Sequence, residues 1–151
     1  MKLFQLLFLL LPLSVAVADP HFVSADGFIV FGSGALLVSF VENEVGVGST
    51  VLITMNALGQ VEYGCENNKG DISKKTGSNQ FLTNAVTWLN GDTAGNLSGD
   101  LLGLNVPTPG DFACPKGQTL TRISILYTQI SVCDATNNNI CRFLPPVQFP
   151  I

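Results

Sequence analysis

Charge is scarce in this chain, and positive charge scarcest. Seven Lys and Arg stand against eleven Asp and Glu in 151 residues, for a formal net charge of −4. The basic residues are scattered. Lys69, Lys74 and Lys75 come nearest to a cluster, and three lysines in a polar stretch read as a solvated loop. A nucleic-acid partner needs Lys and Arg gathered on one surface, so that class is excluded. Histidine is rarer still: His21 stands alone, far in sequence from the four cysteines, and no CxxC occurs. Zinc is excluded on both counts. A copper brace built on an exposed amino-terminal His21 would need a second histidine. A Ser-His-Asp triad would have to recruit His21 from the first strand, and there is no GxSxG elbow. No cofactor is therefore expected.

Other absences narrow the class further. Helical periodicity is missing beyond the amino-terminal segment, as are an internal repeat at solenoid spacing and a linker that would mark a second domain. After residue 18 no run approaches the roughly 18 apolar residues of a membrane span, and no carboxy-terminal anchor signal or retrieval tetrapeptide is present. Gly32-Ser33-Gly34 and Gly46-Val47-Gly48 lack the helix that a phosphate-binding loop feeds. Asn90 to Gly95 resembles the start of an EF-hand loop, but Leu101 stands where its glutamate belongs. Glu42 with Glu44, or Glu62 with Glu66, can be drawn as a glycosidase pair. Glu42 and Glu44 would share one side of a strand and read as a solvated edge.

What is present begins with a leader. Lys2, the apolar run Leu3–Leu13 and the small-residue site Ala16-Val17-Ala18 have the order of a secretory signal peptide. Cleavage after Ala18 is expected, leaving residues 19–151 as one secreted, extracellular domain with no membrane association. Length suits one core and not two.

The rest reads as short runs of Val, Ile, Leu and Phe punctuated by Gly, Asn, Ser and Thr, the pattern of an all-β sandwich or barrel. Strands are expected over His21–Ser24, Phe28–Phe31, Ala35–Glu42, Thr50–Asn56, Gln60–Glu66, Ala85–Leu89, Asn96–Leu102, Gln118–Cys133 and Ile140–Phe143. Asn56-Ala57-Leu58-Gly59 reads as a tight hairpin turn. Asn90 to Gly95 reads as another, between the Trp88 and Leu97 strands. Asn67–Gln80 reads as a long polar loop, Pro107–Gly110 as a stiff connector, and the proline-rich tail Leu144–Ile151 as an extended edge segment.

Gln118–Cys133 is the expected central strand. Ile123, Ile125 and Tyr127 alternate with Arg122, Ser124 and Thr128, placing the first set on a buried face and Arg122 and Ser124 away from it. The apolar set then shifts to Ile130 and Val132. That change of phase predicts a β-bulge or a sheet crossover near Thr128.

Four cysteines behind a leader predict two disulfides in an oxidising compartment. Cys133 and Cys141 flank a turn-rich segment between two strand-like runs, an easy geometry for a bridge, and Cys65 would then pair with Cys114. Both read as structural. Asn96-Leu97-Ser98 is the one N-glycosylation sequon, making Asn96 a candidate glycan site. Trp88 could stack on sugar, but a lone Trp in a small sandwich reads first as core.

The segments Tyr63-Gly64-Cys65 and Cys114-Pro115-Lys116-Gly117-Gln118-Thr119-Leu120 carry a resemblance. So do His21-Phe22, Val38-Ser39-Phe40 and Ile125 to Ile130. Together they resemble a group of small secreted microbial β-sandwich proteins of no assigned activity. The resemblance implies Cys65–Cys114 as the shared bridge, with the Asn67–Gln80 loop and the Cys133/Cys141 pair peculiar to this chain.

The expectation is a single disulfide-stapled immunoglobulin-like, Greek-key sandwich that is not an enzyme. It would act by surface binding to a cell-wall polysaccharide, a host protein or its own copies. The alternatives are a small secreted hydrolase acting on polysaccharide, or a structural cell-wall component.

Overall fold

A computed structural model describes residues 19–73 and 77–150. The leader and its cleavage site after Ala18, and Lys74 and Lys75 of the lysine group, lie outside the described residues. Within them the protein is all-β, with no helix, and folds as two sheets packed face to face. The smaller sheet has the order β1-β2-β5: β1 His21–Ile29, β2 Leu36–Asn43 and β5 Leu97–Leu102. The larger has the order β4-β3-β6-β7, with β8 also on β6: β3 Thr50–Glu66, β4 Gly77–Asn90, β6 Thr119–Asp134, β7 Ile140–Leu144 and β8 Val147–Pro150. All pairings are antiparallel.

The core follows from strand alternation. Val51, Ile53, Met55, Ala57, Val61 and Tyr63 of β3 face inward at every second residue. They meet Leu36, Val38 and Phe40 of β2 and Ile125, Tyr127, Ile130 and Val132 of β6. Fully burying side chains of this size stabilises by roughly 1.5–3 kcal/mol each relative to exposure.

β3 overturns one turn expectation. It runs unbroken through Asn56-Ala57-Leu58-Gly59, whose residues pair across to β4 from Asn84 to Phe81. Gly59 is glycine for space: a Cβ there would lie 2.4 Å from the Phe81 ring. That ring packs edge-on against Tyr127, with centroids 5.9 Å apart. The β3–β4 hairpin turns instead beyond Glu66. There Asn67 Oδ1 accepts from Lys69 N and Asp71 N, at 2.8 and 3.0 Å, so the expected polar loop gives up residues 77–80 to β4. Likewise Asn90–Gly95 is no hairpin, because β4 and β5 belong to different sheets. Its Asp92 folds the link by accepting from Ala94 N and Asn96 N at 2.8 Å each, bonds that hold its carboxyl below the usual range.

β6 is central, and it is bulged twice. Asn56 pairs with Ser131 and Leu58 with Thr128, so two β6 residues, Gln129 and Ile130, oppose Ala57 alone. Gln129 takes φ 51° at this bulge, which produces the change of burial phase read from the sequence. The second bulge lies between Arg122 and Ser124 and corrects the expected face. Ile123 is squeezed outward over Gly64, while Arg122 joins Ile125 beneath the β1–β2 turn. Its guanidinium donates to Gly32 O and, at 2.8 Å, to Ser33 O. Tyr127 donates its hydroxyl to Gly34 O, also at 2.8 Å.

Two disulfides staple the sandwich. Cys65–Cys114 ties the end of β3 to the long β5–β6 connection, with Cα atoms 5.6 Å apart. Cys133–Cys141 joins directly opposed residues of β6 and β7, with Cα atoms 4.1 Å apart. Bonds of this kind belong to an oxidising compartment. Among the described residues no helix is long and apolar enough to cross a membrane.

Candidate functional site: the outer face of the larger sheet

Trp88 decides where to look. The expectation placed it in the core; it is 61 % exposed, on the outer face of β4. Alternation in β4 explains the placement. Phe81, Thr83, Ala85, Thr87 and Leu89 turn inward, so Gln80, Leu82, Asn84, Val86 and Trp88 must turn outward. Leu82 and Val86 are likewise largely exposed.

Register then assembles a surface that no short stretch of sequence contains. Trp88 stands opposite Leu52, Val86 opposite Thr54, and Leu82 opposite Leu58. Amide pairs share the face: Asn84 opposite Asn56 lies between the Val86 and Leu82 positions, and Gln80 opposite Gln60 lies just beyond Leu82. The rows continue across the sheet. Gln60 leads through Leu126 to Gln148, and Asn56 through Ser131 to the exposed Phe143. Neighbouring strands lie about 4.8 Å apart, and alternate residues of one strand about 7 Å apart. The face is therefore a lattice of amides and apolar groups, about 20 Å from Trp88 to Leu82 along β4.

Open hollows break it, among them one of about 280 Å³ beside Thr54, Asn56, Asn84 and Val86. A second, of about 150 Å³, is lined by Asn56, Leu58, Leu82, Asn84 and Gln129. Another of about 80 Å³ lies among Gln60, Glu62, Ser124, Leu126 and Gln148. Glu62 is engaged there, its Oε2 accepting from the Ser124 hydroxyl at 3.0 Å. An amide offers both donors and an acceptor, matching ligand groups that do both, such as hydroxyls. Trp88 offers a broad apolar plane with a polar N–H.

The remaining sequence candidates lie elsewhere. Glu42 is not on a solvated edge: it is wholly buried, pointing into the core with Leu36, Val38 and Phe40. Its polar neighbour there is Asp134, also wholly buried. Asp134 accepts from Thr136 N at 2.7 Å, Asn137 N at 3.0 Å and Asn137 Nδ2 at 2.6 Å. The Glu42 oxygens meet no conventional donor. Two carboxyls hydrogen-bond only through a proton, and burial, reinforced by the Asp134 charge and that bond, pushes Glu42 up to about 8. Sealed from solvent, this pair reaches no substrate. Glu44 is turned away, at φ 66°, and meets His21 Nδ1 at 3.3 Å on the surface. Asn96 is half-buried at the start of β5, beside the Asp92 turn. Cys65 and Cys114 lie at the opposite end of β3 from Trp88, whereas Cys133–Cys141 borders the outer face beside Thr54.

No family model matches the chain, and neither does any curated protein or any solved structure. Sequence reasoning missed the amide rows altogether. In the sequence Asn56 falls where a strand is expected to give way to a turn and Gln80 at the end of an expected loop, and only the pairing of strands shows that they share a face.

Proposed function

We propose that this protein is a non-catalytic extracellular binding module that lays the outer face of its larger sheet against a neutral polysaccharide, such as that of a cell wall. The observation that carries the reading is the exposed Trp88, set on an open sheet face that also carries the Asn84/Asn56 and Gln80/Gln60 amide pairs. Exposed aromatic and apolar groups set among convergent polar ones mark a binding surface more often than a bare solvated sheet. An open face favours an extended polymer over a small molecule, which would need enclosure. The scarcity of charge on this face favours a neutral ligand over an acidic or basic one. The resemblance to small secreted β-sandwich proteins accords with this reading. So does the strand order, 1-2-5 facing 4-3-6-7, from which we infer an immunoglobulin-like Greek-key sandwich. Cleavage after Ala18 and a glycan on Asn96 complete the proposal.

The test is co-sedimentation of the secreted protein with a panel of insoluble neutral polysaccharides, beside Trp88→Ala and the double variant Asn56→Ala/Asn84→Ala. Retention of the wild type by at least one polymer, with a loss of tenfold or more on removing the Trp88 plane, is expected; that loss corresponds to about 1.4 kcal/mol. Undiminished binding by both variants would remove the outer face from the reading. Amino-terminal sequencing of the same material should begin at Asp19.

A further inference from the structure

The edges of the two sheets are not treated alike. An edge strand exposes unpaired N–H and C=O groups, and proteins blunt such edges with short strands, proline, charge, bulges or a covering segment. Here β8 is four residues ending at Pro150, and β7 is five residues carrying Arg142. β1 is bulged between Phe22 and Ser24, and Arg142 donates to its Phe22 and Val23 carbonyls at 3.2 and 3.4 Å. β5 is six residues long and carries Asp100. β4 has none of these devices. It runs for 14 residues without a charge or a proline, and pairs with β3 from Asn90 to Gly77 without a bulge. Among the described residues β3 is its only strand partner. The segment after β5 touches it at two places, Leu104 N donating to the Thr83 hydroxyl and the Phe112 ring lying against Gly77, but among the described residues it makes no backbone–backbone hydrogen bond to β4.

We infer that β4 is a dimerisation edge, pairing antiparallel with β4 of a second copy across a twofold axis at Asn84. The self-pairing argument rests on what the edge carries. An acidic chain, of net charge −4, would repel its copy through most surfaces, but this strand brings no charge to the contact. Directly opposed side chains in a continuous sheet must lie on the same face. With Asn84 opposite its own copy, Leu82 meets Val86 twice, apolar on apolar, and each Gln80 amide lies against a Trp88 ring. Moving the axis one residue to Thr83 would set Leu82 against Asn84 and Val86 against Gln80.

The paired stretch, from Ser78 to Asn90, is about 44 Å long. At the roughly 10 Å depth of one sheet layer it covers about 900 Å² in total, short of the roughly 1,200 Å² of a stable interface and in the range of transient ones, so reversible association in the micromolar range or weaker is expected. Because each copy has a single unguarded edge, pairing is isologous and closes at two instead of propagating. The dimer would carry one continuous sheet with two Trp88 planes on the same face. The inference does not depend on polysaccharide binding.

Sedimentation velocity of the full secreted protein over a micromolar concentration series tests it, with the glycan removed and no polysaccharide present. A reversible monomer–dimer equilibrium is expected, shifted to monomer at least tenfold by Val86→Lys. Val86 is 65 % exposed, so the variant should fold, and an unchanged melt would show that it does. Hydrogen exchange needs no variant: protection confined to residues 77–90 should rise with protein concentration. Asn84→Cys should form an intermolecular disulfide and Ser78→Cys should not. A monomer throughout the series would overturn the inference, as would a dimer that survives Val86→Lys with no added protection in β4. Open-ended polymers would also overturn it, and so would protection of β4 that appears only when a different protein is added.

Discussion

Replacing Glu42 with Gln should remove a pH dependence of stability that the wild-type protein carries. Glu42 and Asp134 are both wholly buried between the sheets. Three donors hold Asp134, whereas Glu42 has only the other carboxyl to bond. In the unfolded chain Glu42 titrates near its ordinary value of 4.5, and in the folded protein near 8. Between those values the folded state keeps a proton that the unfolded chain has released. Stability is therefore full below about pH 4.5 and declines as pH rises towards 8. The slope approaches about 1.4 kcal/mol per pH unit, so on the order of 4 kcal/mol is lost between about pH 5 and about pH 8. A domain of this size has only about 5–15 kcal/mol in all. Glutamine fills the same volume and offers a permanent N–H donor to Asp134. Glu42→Gln should therefore match the wild type within about 1 kcal/mol near pH 5 and exceed it by several kcal/mol near pH 8. Urea melts of both proteins at intervals of one pH unit, with the disulfides intact, measure the difference directly. Parallel pH profiles would refute the shared proton, and so would a wild-type stability that rises across this window.

The staples should differ in worth. Replacing Cys65 and Cys114 together by Ser opens a loop of sequence separation 49, against 8 for Cys133 and Cys141. On the chain-entropy argument the losses are roughly 4 and roughly 2.5 kcal/mol, and denaturant midpoints should rank the two double variants in that order. Ile125→Ala should cost about 2–5 kcal/mol, since Ile125 is 1 % exposed in the core. Arg122→Ala should cost about 1–3 kcal/mol, because its guanidinium satisfies the Gly32 and Ser33 carbonyls. A loss for Arg122→Ala within the range of an ordinary surface residue would show that this anchor contributes nothing.

Local pattern in the chain was enough for some of this protein and not for the rest. Alternation of apolar and polar residues, punctuated by Gly and Asn, determined an all-β fold. The change of parity after Tyr127 announced the bulge at Gln129, because a strand cannot change phase without an extra residue. Four cysteines beside strands announced disulfides. Glu42 shares the parity of Leu36, Val38 and Phe40, so its burial is legible in the sequence. The second bulge was not. Thr121 to Ile125 alternates regularly, and only the partner strand, where Tyr63 takes Arg122 and Glu62 takes Ser124, shows that Ile123 is extra. Gly59 looked like a turn residue because glycine serves both positive φ and close approach, and the approaching ring, Phe81, lies 22 positions along the chain. The placement of Trp88, the amide rows and the unguarded edge of β4 were likewise decided in three dimensions. Alternation is a property of one strand, whereas register, sheet membership and edge position depend on which distant strand supplies the hydrogen bonds.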